Sequence, residues 1–147
     1  MRISPLPSLF QSPWQVFQSV HQNSHACFFL DSGSFNPPNQ RFSCIGFDPF
    51  LELTLGEKEL RLSGELKEKW PASQFLPVFR RLLRKYRSVR RSEIPLFFGG
   101  AVGFLGYETA ELFDKIRFRR KPGMEIPRAY FGFYRNGIVY DHKLKKY

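Results

Sequence analysis

The chain has 147 residues, a net charge of +10 and a pI near 10.0. This length fits a single domain over 1–147, and 17 phenylalanines supply enough core material to argue against a disordered chain. The basic balance leaves nucleic acid, anionic membranes and acidic proteins open as partners. Two cysteines without a Cys-x-x-Cys pair predict buried thiols in a reducing cytoplasm and argue against a disulfide framework. The first residues also lack the apolar core of a secretory signal.

The first half of the chain predicts one helix followed by several strands. Ser12-Pro13 is typical of a helix start, and the apolar spacing that follows predicts a helix over 13–22. Apolar runs and alternation predict strands over 26–31, 41–47, 50–55 and 59–63. The intervening residues 32–40 read as a loop. We expect the last three strands to form an antiparallel meander.

A second helix is predicted over 74–88, with Pro77 in its first turn. One stripe of this helix is apolar: Phe75, Phe79, Leu82 and Tyr86. The opposite side is basic: Arg80, Arg84, Arg87 and Arg91. Seven basic residues fall within 80–91, and a solvated helix face explains them. An acidic partner or nucleic acid is the alternative interpretation.

The most apolar and glycine-dense stretch is 95–108. A phosphate loop is excluded because no Lys-Ser or Lys-Thr follows the glycines. A membrane span is excluded because the run is shorter than about 20 residues. We therefore predict a buried strand over 96–104, which turns at Gly106 into a short helix over 108–113. Glu108 and Glu111 can pair there as acid and base, although carboxylates in a first turn also complement the helix dipole.

Near the end of the chain, Asn136-Gly137 is the preferred pair for a tight turn and predicts a hairpin of strands 128–134 and 138–142. The first of these strands partly imitates an aromatic RNA-binding motif, but a half-buried hairpin explains the same alternation. His25-x-Cys27 is the only close His–Cys pair, and it lacks metal-ligand spacing. No complete active site is visible in the sequence.

Four motifs, taken in order, resemble segments of one known family. They are Phe29-Leu30-Asp31-Ser32-Gly33, Arg41-Phe42-Ser43-Cys44-Ile45-Gly46, Gly99-Gly100-Ala101-Val102-Gly103-Phe104-Leu105-Gly106-Tyr107-Glu108 and Ile138-Val139-Tyr140-Asp141-His142. The family is component I of anthranilate synthase and of aminodeoxychorismate (para-aminobenzoate) synthase. The resemblance covers about 8–142. It implies an α+β fold, an antiparallel two-sheet sandwich with flanking helices that forms the N-terminal part of the chorismate-utilising enzyme fold.

The resemblance also implies what the whole enzymes do. They aminate chorismate with ammonia from a glutamine amidotransferase subunit, in a magnesium-dependent reaction. It places chorismate and magnesium on a C-terminal domain, or a split subunit, that we do not find in this sequence. We therefore assign no catalytic residue, metal ligand or cofactor to the chain, and we expect no activity from it alone. Without that partner domain, we expect exposed apolar surface and self-association.

In tryptophan-binding members, the first two motifs hold the amino acid. The resemblance therefore implies the pocket candidates Leu30, Asp31, Ser32, Arg41, Phe42 and Ser43. Asp31 and Ser32 can accept bonds from an ammonium group, and Phe42 can cover an indole ring. The remaining signature residues are expected to be structural: Gly99, Gly100, Gly103, Gly106, Tyr107, Glu108, Asp141 and His142.

One departure points to a branch of the family. Asp31 stands where glutamate is usual, and Gly33 follows Ser32, which resembles the aminodeoxychorismate synthases. We therefore predict a non-catalytic N-terminal scaffold or regulatory domain of that component I, cytoplasmic and in folate biosynthesis. The alternative is the same domain of anthranilate synthase, with a tryptophan site, in tryptophan biosynthesis. An alternative from another class is a basic RNA-binding module, although we do not expect nucleic-acid or membrane partners.

Overall fold

In a computed structural model, the described residues are 12–31, 41–87, 100–116, 118 and 126–147. The helices are α1 (Pro13–Asn23) and α2 (Phe75–Lys85), with 3-10 helices at Ala72–Gln74 and Tyr107–Leu112. The strands are β1 (Cys27–Leu30), β2 (Phe42–Phe47), β3 (Leu51–Leu55), β4 (Glu59–Gly64), β5 (Glu68–Pro71), β6 (Ala101–Leu105), β7 (Ala129–Phe133) and β8 (Asn136–Asp141). No helix in the described ranges is long and apolar enough to cross a membrane.

The chain divides into two compact units, each built on one antiparallel sheet. The first unit holds α1 and a three-stranded sheet in the order β1-β2-β8. The second holds α2 and a five-stranded sheet in the order β5-β4-β3-β7-β6. Every strand pair is antiparallel. The predicted pair of antiparallel sheets with flanking helices is confirmed, whereas the single domain over 1–147 stays a prediction.

In the first unit, α1 begins where Ser12 predicts it. The Ser12 hydroxyl accepts from the amide of Gln15, and the Gln15 side chain accepts from the amide of Ser12, so a capping box satisfies two amides of the first turn. Val16 is buried, and Phe17 stacks on Phe29 of β1 with ring centroids 5.2 Å apart. These contacts order the N-terminal part of the unit around β1 and β2.

In the second unit, the core forms between β3 and α2. Leu51, Leu53 and Leu55 have no exposed surface, as their predicted alternation requires. Phe75 and Leu82 of α2 are buried in the same cluster. Pro77 lies in the first turn of α2 as predicted, where proline removes no helical hydrogen bond.

The predicted meander of three strands is wrong. β2 belongs to the first sheet, whereas β3 and β4 pair in the second. Between β2 and β3, Asp48 adopts a positive φ of 49°, which turns the chain out of line with β2. β5 was not predicted, and it extends the second sheet beyond β4.

The predicted C-terminal hairpin is also wrong, although both strands exist. β7 lies between β3 and β6 in the second sheet, whereas β8 pairs with β2 in the first. Asn136 and Gly137 are therefore part of β8 instead of a turn. Gly137 lies opposite Gly46, and a Cβ on Gly137 would be 3.1 Å from the carbonyl oxygen of Ile45. Glycine at this position permits close strand pairing.

The glycine-rich stretch contains β6, which is an edge strand of the described sheet. Residues 96–99 of the predicted strand lie outside the described residues. In the rest, Phe104 is 43% exposed, so the prediction of a buried strand is wrong there. Leu105, which extends β6 one residue beyond the predicted end, is 54% exposed. A Cβ on Gly103 would overlap the carbonyl oxygen of Tyr130 in β7, which explains the glycine. The predicted short helix is present as the 3-10 helix Tyr107–Leu112.

Candidate functional site

The candidate site lies where β1, β2 and β8 come together in the first unit. β2 is the central strand, and its register pairs Cys44 with Leu30 on one side and Phe42 with Asp141 on the other. This pairing brings Asp31, just after β1, close to Ser43 of β2. It brings His142, just after β8, to the same serine. Three of the four motifs, the last of them about a hundred residues from the others, therefore meet at one end of this sheet.

Ser43 connects the other two polar side chains. Its Oγ lies 2.5 Å from Oδ1 of Asp31 and 2.6 Å from Nε2 of His142, and the residue is only 1% exposed. A serine hydroxyl has one proton to donate, and an ionised carboxylate can only accept. With Asp31 ionised, Ser43 donates to Asp31 and Nε2 of His142 carries the proton that it donates to Ser43. The hydrogen bond from His142 thus orients the Ser43 hydroxyl, and the hydrogen bond from Ser43 orients the Asp31 carboxylate.

This set differs from a hydrolytic Ser-His-Asp triad. In a triad the carboxylate contacts the second nitrogen of the imidazole and leaves the serine hydroxyl facing the substrate. Here Asp31 contacts Ser43 itself, and Ser43 is buried. Asp31 is exposed and keeps acceptor capacity beyond its bond to Ser43. The arrangement is suited to binding a cationic group at Asp31, and it does not present a nucleophile.

A second polar pair joins Arg41 and Asp141. Nε of Arg41 donates to both carboxylate oxygens of Asp141 at 3.0 Å, and Nη2 lies 2.5 Å from Oδ2. The amides of Lys143 and Leu144 also donate to Oδ1, at 2.9 and 3.1 Å. The hydrogen bond from Arg41, helped by these amides, lowers the pKa of Asp141. The same bond raises the pKa of Arg41 above its ordinary value.

The six predicted pocket residues divide between the two faces of the first sheet. Side chains alternate along a strand, so Ser43 points to one face and its neighbour Phe42 to the other. Leu30, opposite Cys44, shares the face of Phe42. The guanidinium of Arg41 lies 4.7 Å from the centroid of the Phe42 ring. Asp31 and Ser43 are therefore brought together on the Ser43 face, apart from Leu30 and Phe42, and Ser32 lies outside the described residues.

The signature residues also divide, between the two units. Gly100, Gly103, Gly106, Tyr107 and Glu108 lie in the second unit, and Gly99 is outside the described residues. Asp141 and His142 lie in the first unit, in direct contact with predicted pocket residues.

The sequence predicted a structural role for Asp141 and His142, but it did not predict the contact of Asp141 with Arg41 or that of His142 with Ser43. The available signal was an Asp-His pair at the end of an apolar strand. The hairpin prediction hid that signal, because it placed β8 beside β7 instead of β2.

Two other acid or metal candidates have structural partners. Glu111 accepts from Nη2 of Arg128 at 3.1 Å and from the amide of Phe118 at 2.7 Å, which gives this carboxylate a structural role. In the His25-x-Cys27 pair, Cys27 Sγ lies 3.5 Å from Nδ1 of His21, and Nδ1 of His25 lies 3.6 Å from Oδ1 of Asp48. Within the ranges that the structure describes, no group of three His, Cys, Asp or Glu side chains can hold a metal ion.

The aromatic strand that suggested RNA binding uses its rings inside the second unit. Phe131 contacts Phe79 of α2, with ring centroids 4.5 Å apart, and Phe133 lies 5.8 Å from Tyr86. Tyr130 donates to Glu52 at 2.8 Å. These contacts explain the aromatic alternation by packing, without a need for stacked bases.

Comparison with known proteins gives a consistent match, although no protein-family model matches the chain. Anthranilate synthase component 1 of Leptospira biflexa is 35% identical over 130 residues, which cover 87% of this chain and 26% of the relative. The component of the same name from Geobacillus stearothermophilus is 31% identical over 136 residues, covering 91% and 26%. The crystal structure of anthranilate synthase component I from Streptococcus pneumoniae TIGR4 shares the fold, with a TM-score of 0.55 at 24% identity, over 99% of this chain and 30% of that one. The chain thus spans about a quarter of the length of the curated relatives that it matches.

Proposed function

The chain belongs to the family of anthranilate synthase component I, and from this premise we propose that it is the non-catalytic N-terminal domain of such a component, with an amino-acid-binding regulatory site. This places it in tryptophan biosynthesis, in the cytoplasm. The named relatives favour this assignment over the aminodeoxychorismate synthase branch. Tryptophan, as the product whose synthesis would be regulated, is the proposed ligand.

The observation that carries the proposal is the hydrogen-bonded set of Asp31, Ser43 and His142. A free amino acid presents an ammonium group, which a carboxylate binds through charge-assisted hydrogen bonds. Asp31 supplies that carboxylate, and Ser43 fixes its orientation through the bond at 2.5 Å. The ring of Tyr140 lies 4.9 Å from that of His142, and Tyr140 is paired with Ser43 across β2 and β8. It replaces Phe42 as the candidate contact for an indole, since Phe42 lies on the opposite face.

The chemistry of the whole enzyme is proposed to reside elsewhere in component I. Amination of chorismate would need the remaining three quarters of the relatives' length, magnesium bound there, and ammonia from a glutamine amidotransferase subunit. In this proposal the chain contributes a folded support and a ligand site. No step of the reaction is assigned to its residues.

Isothermal titration calorimetry with L-tryptophan tests the binding site. We expect saturable heat with the unmodified chain and at least a tenfold weaker affinity in Asp31→Asn, because one charge-assisted bond is lost. Indole-3-propionic acid, which has the ring and the carboxylate without the ammonium group, is expected to bind as weakly. Ser19→Ala, on the exposed side of α1, is the matched control and should bind as the unmodified chain does. Equal affinities of Asp31→Asn and the unmodified chain for L-tryptophan would contradict the proposed binding site.

A second candidate is the aminodeoxychorismate synthase branch, which the aspartate at position 31 favours. Its carboxylate is one methylene shorter than the usual glutamate and extends less far from the sheet. In that branch we expect no tryptophan binding by a folded chain. The same calorimetric titration therefore separates the two candidates: absence of heat with intact circular dichroism favours this second one.

A further inference from the structure

An open groove of about 620 Å³ lies beside α2 in the second unit. Three arginines of α2 line it: Arg80, Arg81 and Arg84. Its apolar floor includes Leu76, Pro77 and Leu112. We call this feature the arginine groove. It is separate from the Asp31 site, which belongs to the first unit.

The described part of the second unit offers little negative charge to balance the arginines of the groove. Arg81 has partners, since its Nη2 lies 3.0 Å from Glu68 and its guanidinium lies 5.3 Å from the Trp70 ring centroid. For Arg80 and Arg84, no ion pair is found among the residues that the structure describes. These two are spaced i and i+4, where like charges repel each other. α2 contains no acidic residue that would offset them.

The helix dipole explains only part of this clustering. Cations are favourable in the last turn of a helix, where Arg84 and Lys85 lie. Arg80 lies near the middle of α2, beyond the range of that effect. An anionic partner in the groove would relieve the repulsion between Arg80 and Arg84. Charge complementarity therefore points to an acidic ligand.

The side chains that line the groove indicate whether an acidic peptide or a nucleic acid fits it better. Proteins that bind single-stranded nucleic acid combine basic grooves with exposed aromatic rings on which bases stack. Among the described residues that line this groove, Phe75 is the one aromatic side chain, and it is 2% exposed and packs in the core. Aliphatic surface between arginines instead suits a peptide that carries both carboxylates and apolar side chains.

We propose that the arginine groove binds an acidic segment of a partner protein. Its carboxylates contact Arg80 and Arg84, and an apolar side chain lies against Leu76, Pro77 and Leu112. Arg81, already held by Glu68 and Trp70, borders the groove. This surface is independent of the amino-acid site, so it can be tested whether or not that site binds tryptophan.

Fluorescence anisotropy with a labelled peptide of alternating glutamate and leucine tests the proposal on the full chain. We expect saturable binding at low salt. The double substitution Arg80→Glu, Arg84→Glu should weaken it at least tenfold, because two ionic contacts become repulsive. The control Lys58→Glu, Lys67→Glu reverses two exposed charges of the same unit and leaves the same net charge. It should change the affinity less than about threefold.

Several outcomes would overturn the proposal. One is no binding of the peptide, and another is equal weakening by both double variants, which would indicate a net-charge effect only. A third is equal binding of a peptide with glutamine in place of glutamate. A fourth is tighter binding of an oligouridine, with loss in the Arg80, Arg84 variant, since that would assign the groove to nucleic acid. Arg80→Gln, Arg84→Gln replaces the reversal variant if circular dichroism shows that the latter does not fold.

Discussion

Ser43 makes the two hydrogen bonds that join the polar side chains at one end of the first sheet. Its hydroxyl is buried on the central strand, and it holds Asp31 and His142 at hydrogen-bond distance. Removing the hydroxyl of Ser43 would leave Asp31 and His142 each without one hydrogen bond. Polar groups left without a partner in this way lower the stability of the fold. The same contacts orient the carboxylate that we assign to ligand binding. At the residue scale, the stability of the first unit and the proposed binding therefore both depend on the side chain of Ser43.

Ser43→Ala should lower the free energy of unfolding by about 1–3 kcal/mol, because two polar partners are left unbridged. Urea denaturation followed by circular dichroism measures this loss. Ser19→Ala, at an exposed position, should change it by less than about 0.5 kcal/mol. Equal stability of Ser43→Ala and the unmodified chain would show that the buried set does not support the fold.

Asp141 predicts a dependence of stability on pH. Its folded-state pKa is lowered, first by the hydrogen bond from Arg41, so the ionised form stabilises the fold. This contribution is fully present above the ordinary aspartate pKa of about 3.9 and is lost as the pH falls through the lower folded-state value. Asp141→Asn should be less stable than the unmodified chain at pH 7, and the difference should shrink below about pH 4.

Denaturant titrations between pH 7 and pH 3 measure this difference. Asp114→Asn, at an exposed aspartate of the second unit, serves as the control and should differ little from the unmodified chain at any pH. A stability difference for Asp141→Asn that stays constant across this range would contradict the assignment.

At the element scale, side-chain patterns predict where strands occur better than they predict which strands pair with each other. Alternation identified β3, and the Ser12 cap identified the start of α1, since both signals are local. The pairing of β8 with β2 joins residues about a hundred positions apart, as in the bond between Ser43 and His142. Local turn chemistry at Asn136-Gly137 favoured a hairpin, and non-local pairing overrode it. For the same reason, the motifs named Asp31, Ser43 and His142 separately but did not predict the hydrogen bonds that join them.

The glycine-rich strand gives a prediction at this scale. Gly103→Ala places a Cβ against the Tyr130 carbonyl, so β6 and β7 must separate. Overpacking against backbone should cost about 2–3 kcal/mol of unfolding free energy. Gly56→Ala is the matched control, because a Cβ there meets only Glu59 at an ordinary 3.4 Å. Similar losses for both variants would show that β6 does not need glycine for close approach.

At the scale of the whole molecule, the chain supplies two folded units and about a quarter of its relatives' length. Large apolar and aromatic side chains are exposed at the end of β6 and at the start of the 3-10 helix that follows it, with Leu105 at 54% and Tyr107 at 80%. Such surface is typical of a region that packs against another domain. The predicted self-association of the isolated chain stays a prediction. If the chain supports a larger enzyme, its effect on catalysis can be measured only when it is joined to the part of component I that the chain does not span.

The rate of anthranilate formation from chorismate, ammonium and magnesium tests this account most directly. It is measured for the isolated chain and for a hybrid in which the chain replaces the matching segment of the Leptospira biflexa relative. If the chain is a non-catalytic N-terminal domain of component I, we expect no product from the isolated chain and anthranilate from the hybrid. Turnover by the isolated chain, or a folded hybrid that makes no anthranilate while the parent enzyme does, would contradict it.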